Sequence, residues 1–312
     1  MNRGTWLLGR LAQIVPSFLA IGVAVFFLAR LLPGDPVSAV LGDHASDETI
    51  ARMTAQLGLD RSIPVQLWGF LKGVAQGQFG DSIAYHVPVT QLIGERLPAT
   101  LLLTGLSAVI GIAVAVPLAF VAAVNADRWP DLLIRFVFQL GLSTPVFYVG
   151  LLLLTAFAAG IHLFPVGGYG DGWADHLWHL FLPACTLAFS FAAILMRSLR
   201  GAILLVLTAE FVDFARAKGL RARVILGRHV LRNAMIATVT LVGLHVGSLL
   251  GGAIITESVF AVPGVGRLMV ESIFARDYPV IQALTLILAV LVSLAFLVTD
   301  VAQMWLDPRV GR

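Results

Sequence analysis

Few residues in this 312-residue chain carry types and spacings suited to chemistry. The densest group is His162, Asp171, Asp175, His176 and His179, within 18 residues of one another. Asp175 and His179, four apart, would share one face of a helix and can offer an oxygen and a nitrogen to a divalent ion. The same stretch holds Trp173 and Trp178, and a polar loop in an interfacial aromatic belt has this composition without binding anything; metal is therefore not assigned. No G-x-x-x-x-G-K-[ST] occurs, so the chain has no P-loop to cradle ATP phosphates, and G-x-S-x-G and H-E-x-x-H are absent too. The single cysteine, Cys185, excludes an internal disulfide. One ionisable residue, His245, falls near the middle of an apolar run, where such residues are functional candidates. Arg30, Arg197, Arg200 and Asp300 lie nearer to run ends and are expected to snorkel to water.

A second constellation is mechanical. Residues 208–233, TAEFVDFARAKGLRARVILGRHVLRN, carry Arg216, Lys218, Arg221, Arg223, Arg228 and Arg232 against only Glu210 and Asp213. Phe211, Phe214, Ala215 and Lys218 recur at helical spacing, with both acids near the start, where the helix dipole favours them. Gly219 stands where a helix ends in a left-handed residue. Leu220, Val224 and Leu231 then form an apolar stripe. The pattern predicts two short amphipathic helices joined at an angle, one compact knob. In a soluble protein a basic helix–glycine–helix would suggest DNA binding. Here apolar runs start within a few residues on both sides, leaving a duplex little room, and nucleic acid is not expected. A plain solvated loop would need neither Phe211, Phe214 nor a break at Gly219.

Composition sets the solvent. The chain is 58% hydrophobic and 12% charged, with a mean hydropathy of +0.91, more apolar surface than a soluble domain can bury, so lipid surrounds most of it. A first apolar run reaches Leu32 and, lacking a small-x-small cleavage site, is expected to be retained as a membrane helix. Further spans are expected at about 98–124, 132–159, 180–206, 234–258 and 280–304, each longer than the roughly 20 residues a crossing needs. Pro98 is expected in the first turn of the second. Residues 33–97, with Asp35, Asp43, Asp47, Glu48, Asp60, Asp81 and Glu95, read as a small helical insert. Six spans put both termini on one side. The segments on that side hold 14 Lys and Arg against 6 Asp and Glu, those on the other 7 against 12. The basic side is cytoplasmic by the positive-inside rule. The expected organisation is an all-α integral membrane protein with 1–32 as cytoplasmic N-terminus and first span, 33–97 outside, 98–304 as a five-helix core that includes 208–233, and 305–312 as a cytoplasmic tail.

At 208–233 the sequence resembles a family. Asp213-Phe214-Ala215, three residues, then Gly219 is similar to the Glu-Ala-Ala, three residues, Gly coupling-loop motif of binding-protein-dependent ABC importer permeases of type I. It departs from the motif at Phe214 and at Leu231-Arg232, where the family has Ala and Leu-Pro. LPGDP, GLDRSIPVQ, ERLPATLLL, GLSTPVFYVG, MRSLRGAIL, ARAKGL, RHVLRNA, ESVFAVPGVGRL and ARDYPVIQA, in this order, resemble the peptide/nickel class. The resemblance implies a heteromeric importer in a prokaryotic cell membrane: this chain, a homologous second permease, two cytoplasmic ATPase subunits that bind ATP and magnesium, and an extracytoplasmic solute-binding protein. It implies no catalysis and no cofactor in this chain, and ATPase coupling through Phe211, Asp213, Phe214, Ala215, Arg216, Lys218, Gly219 and Leu220. Short peptides are the expected solute, with nickel chelates, haem or another small solute as alternatives. A secondary transporter would need midplane ionisable residues and an inverted repeat; His245 alone answers the first, and no repeat is visible. A membrane-embedded metallohydrolase would need the 162–179 cluster to face a cavity.

In the fifth span, at about 100° per residue, Thr240, Gly243, Gly247 and Gly251 fall on one face, the small-xxx-small spacing that lets membrane helices approach. Thr238, His245, Ser248, Gly252 and Thr256 lie roughly opposite. The glycine face is expected to pack on a neighbouring helix and the Thr238–His245–Ser248–Gly252 face to border a pathway; His245 bonding a carbonyl inside the bundle is the alternative. The segment 257–279 reads as a turn at Pro263-Gly264 followed by a short anchoring helix.

Overall fold

In the computed structural model, residues 3–31, 47–56 and 58–306 are described, and all regular structure among them is helical apart from one isolated bridge between Asp81 and Pro88. The LPGDP turn with Asp35, Asp43 and the tail 307–312 lie outside the described residues. The helices are α1 (Arg3–Leu31), α2 (Asp47–Gln56), α3 (Ile63–Ala75), α4 (Val89–Val124), α5 (Trp129–Ser143), α6 (Val146–Leu153, extended by a π-helical turn Leu154–Gly160) and α7 (Trp173–Leu207). After them come α8 (Glu210–Ala217), a helical turn Ala222–Val224 with a π-helical segment Ile225–Leu231, α9 (Arg232–Val259), α10 (Val265–Phe274) and α11 (Tyr278–Leu306).

Four helices among the described residues are long and apolar enough to cross a membrane: α4, α7, the Leu241–Val259 part of α9 and the Tyr278–Met304 part of α11. The pair α5 and α6 is long and apolar enough only when taken together, and it is bent by 108° at its break, as in a broken span or a re-entrant loop. The continuous span expected at 132–159 is thus broken, and the chemistry of Thr144-Pro145 explains it. Pro145 has no N–H to give the Gly141 carbonyl, and Thr144, preceding proline, is held extended at φ −98°, ψ 130°. Ser190 Oγ of α7 donates a long bond of 3.5 Å to that freed carbonyl.

Two further boundaries differ from expectation. Helix α4 begins at Val89, nine residues before Pro98, because Pro88 already supplies the entry; Pro98 sits inside the helix on an exposed face. Helix α7 begins at Trp173, so the second half of the 162–179 stretch is helical. Within the insert, α3 runs antiparallel along α1, with Phe70 against Phe26 at 5.7 Å and Leu71 close to Gly22. Arg30 anchors this pair instead of snorkelling, stacking 3.5 Å from the Phe26 ring centroid and donating to Phe26 O and to Gln66 Oε1.

The core forms where α4 and α7 pack along their lengths, with α5, α6 and α9 closing around them. Leu103, Ala115, Leu180, Leu195, Leu199 and Ile203 are buried there. A second cluster joins the start of α4 (Val89, Leu92) to α10 and α11 (Leu268, Leu284). Small residues make the first contact close: a Cβ on Gly111 of α4 would stand 2.4 Å from the Phe191 ring of α7.

Candidate functional site: a short amphipathic helix and the cleft at its end of the bundle

Helix α8 lies between the end of α7 and the segment leading into α9. Its eight residues sort by face. Val212 and Ala215 are buried in the main core with Ile225 and Val230, whereas Phe211, Phe214 and Leu220 are exposed. Phe214 is 68% accessible, an unusual state for a phenylalanine flanked by charges. Asp213 and Arg216 pair on the surface at 3.0 Å, and Lys218 is exposed beside them. Gly219 has φ +72°. Its N–H bonds Arg216 O at 2.9 Å and the Leu220 N–H bonds Ala215 O at 3.2 Å, the paired bonds of a Schellman ending. The second half of the expected knob is corrected: Ala222–Val224, the π segment and α9 follow one another without a break, so the chain re-enters the bundle as one helix. The stripe expected at Leu220, Val224 and Leu231 is not the buried face: Leu220 lies before that helix and is exposed, Val224 is exposed and Leu231 half-buried, while Ile225 and Val230 are the buried residues.

The fifth-span residues separate. A Cβ on Gly243 would collide with Thr299 of α11, and one on Gly247 would touch Val292 at 3.2 Å. Gly251 has no atom of another element within 4 Å of that position; helices that meet over two turns diverge beyond them, so the three glycines do not form one contact. A Cβ on Gly252, expected on the open side, would stand 3.0 Å from Leu187 of α7, and Thr238 is buried with its hydroxyl bonded to Ala234 O. His245 is half-buried and Ser248 exposed, with Ser248 Oγ donating to His245 O at 2.6 Å. Those two remain together on an accessible face; Thr238 and Gly252 do not join them.

At the same end of the bundle as α8, a cleft of about 660 Å³ opens between α5 and α7, lined by Asp127, Arg135, Gln139, Arg197 and Arg200 among apolar side chains. Asp131, fully buried, receives two bonds from Arg200, Nε to Oδ1 at 2.7 Å and Nη2 to Oδ2 at 2.5 Å. The Asp127 N–H bonds the same carboxylate at 2.9 Å. Arg200 is therefore not a snorkelling cation but half of a bidentate pair. Arg197 donates to Gln139 Oε1 at 2.7 Å. Asp131 was missed as a partner because it sits one residue before the expected start of its span, where it reads as a turn acid.

At the opposite end, two buried carboxylates do structural work that composition hides. Glu257 accepts from Thr100 Oγ1 at 2.5 Å and from the Arg267 N–H at 2.9 Å, capping α10. Side chains at Gly264 or Gly266 would strike that carboxylate, which accounts for the glycines in VPGVG. Asp277 accepts from Ser82 Oγ and from the Ala84 N–H at 3.1 Å, fastening the 78–88 loop to the bundle. Tyr85 OH bonds Glu271 at 3.1 Å; burial and that carboxylate push the phenol above its usual range. In the 162–179 stretch the polar groups turn to the backbone: His176 Nδ1 meets Tyr169 O, His179 Nδ1 meets Asp175 O, and Asp175 Oδ2 accepts the Asp171 N–H. Among the described residues no three His, Cys, Asp or Glu side chains converge as metal ligands would.

Comparison with known proteins supplies the family. Residues 115–312 match the model of the binding-protein-dependent transport system inner membrane component, and residues 4–104 match its N-terminal counterpart. The chain is 39% identical to a glutathione transport system permease protein of Salmonella typhimurium over 305 residues, covering 98% of both. It is 37% identical to the Escherichia coli K12 glutathione transport system permease, again over 98% of both. A probable peptide ABC transporter permease of Sinorhizobium fredii is 35% identical over 98% of this chain and 99% of that protein. Among solved structures, an inward-facing methionine ABC transporter superposes with a TM-score of 0.59 over 70% of this chain and 97% of the other, at 16% identity. The helical core thus has the fold of an ABC importer permease, and the chain belongs to the binding-protein-dependent transport system inner membrane component family.

Proposed function

We propose that this chain forms half of the membrane pathway of an ATP-driven importer of short peptides, glutathione-like tripeptides included. A homologous permease completes the pathway, two cytoplasmic ATPase subunits drive it, and an extracytoplasmic solute-binding protein delivers the solute. The observation that carries this reading is α8: a short helix rooted in the core by Val212 and Ala215, with Phe211, Phe214 and Leu220 held outward beyond the membrane helices. Each such anchor, once buried in a partner's groove, contributes up to about 1.5–3 kcal/mol. The sequence has no P-loop, so ATP and magnesium belong to the partner subunits. The excess of Lys and Arg on the α8 side makes it cytoplasmic, with both termini there in a six-span arrangement. The membrane is the inner or plasma membrane of a prokaryote. Closure of the ATPase dimer would draw α8 of each permease inward and switch the bundle between inward- and outward-open states. His245 and Ser248 are placed beside the pathway in this scheme.

Reconstitution of the chain with its partners in vesicles tests the reading. Uptake of labelled glutathione or trialanine is expected only with ATP and the binding protein present. Uptake driven by an ion gradient without ATP would favour a secondary transporter and contradict it.

A further inference from the structure

The cleft between α5 and α7 has an unbalanced charge. Three arginines and two aspartates meet there. Asp131 is committed to Arg200 at hydrogen-bond distance. Arg135 stands 3.8 Å from both Asp127 and Asp131. Arg197 faces no carboxylate among the described residues; its hydrogen bond goes to the Gln139 amide oxygen at 2.7 Å. That bond uses an acceptor and leaves the Gln139 NH2 and the rest of the guanidinium as unspent donors. Arg197 lies ten residues before the end of α7, about 15 Å along the helix axis, on the wall of the cleft. Its side chain is exposed there, so an anion entering the cleft meets a positive charge with donors to spare. The volume, about 660 Å³, lies within the roughly 300–1,000 Å³ of small-molecule sites.

Resting on the peptide-importer reading, we infer that this cleft is a binding site for the carboxylate of the transported solute, with Arg197 and Gln139 as its donors. The planar guanidinium matches a carboxylate in a way an ammonium does not. The buried Asp131–Arg200 pair sets the wall of the site and leaves the extra positive charge to Arg197. Being at the α8 end, the site would hold the solute late in its passage.

The test places a cysteine at Phe136, a 63% accessible residue lining the cleft, in the assembled transporter with Cys185→Ser. A negatively charged methanethiosulfonate is expected to label it faster than a positively charged one. Arg197→Gln should lower that ratio about tenfold, the effect of one nearby unit charge, and Arg197→Lys should restore it. Trialanine, but not its C-terminal amide, should slow labelling, and this protection should be lost in Arg197→Gln. An unchanged reagent ratio in Arg197→Gln would overturn the electrostatic assignment whatever the transporter carries. Equal protection by acid and amide would overturn the carboxylate assignment. If replacing half the phosphatidylcholine with phosphatidylglycerol protects the cysteine without peptide, the anion is a lipid headgroup and the proposal fails. Absence of ATP-driven peptide uptake with the charge effect intact would instead sink the importer reading and leave an anion site.

Discussion

Asp131→Ala is expected to destabilise the protein by about 3–5 kcal/mol, because it leaves Arg200 largely buried and without its counter-charge. Little of this loss is Coulombic attraction as such; most is the cost of holding an uncompensated guanidinium away from water. It also frees the Asp127 N–H that the same carboxylate satisfies, loosening the turn between α4 and α5. Replacing both partners by apolar residues of similar size, Asp131→Leu with Arg200→Met, should recover much of the stability, since neither charge is then stranded. Thermal unfolding in detergent micelles reads the difference. A single variant as stable as the wild type, or a double variant no better than the single, would show that the pair does not lock α5 to α7.

Gly219→Val is expected to abolish uptake while the protein still inserts. The residue holds φ +72°, and no atom lies within 4 Å of where its side chain would go, so the effect comes from the backbone alone. An L residue in the left-handed region costs about 1–2 kcal/mol, and a β-branched one is a still poorer fit. That strain is relieved by unwinding the Schellman ending, which re-aims Phe211 and Phe214. Gly219→Asn should retain most of the uptake, because asparagine tolerates the conformation. ATP-driven uptake in vesicles separates the two variants. Equal uptake by Val and Asn variants would mean that the turn does not set the direction of α8.

What the sequence disclosed, and what it hid, follows from the range of the interactions. Gly219 was readable because a helix ending is a local event: six residues and two backbone bonds decide it. Four of the expected spans, those in α4, α7, α9 and α11, were readable because lipid imposes a length on each. Boundaries set by competition between two local signals were not. Pro88 and Pro98 are both fit to begin a helix, and the chain uses the first. The break at Pro145 was not legible either, since whether a proline kinks or severs a span depends on what lies across from it. Asp131–Arg200, Glu257–Thr100 and Asp277–Ser82 join residues 69, 157 and 195 positions apart, and no periodicity within either partner announces them. The glycine stripe of α9 failed at Gly251 for a related reason. Periodicity shows which residues share a face, whereas the crossing of α9 with α11 decides how far that face stays covered.

The central claim, that α8 is the segment gripped by the ATPase, is tested most directly by cross-linking. With Cys185→Ser as background, Phe214→Cys in the assembled transporter should join to a cysteine in the ATPase groove through a short bifunctional thiol reagent. Trp173→Cys, 76% accessible at the opposite end of α7, should not. A complex that hydrolyses ATP and transports, yet shows no cross-link from position 214 or an equal one from position 173, would contradict the account.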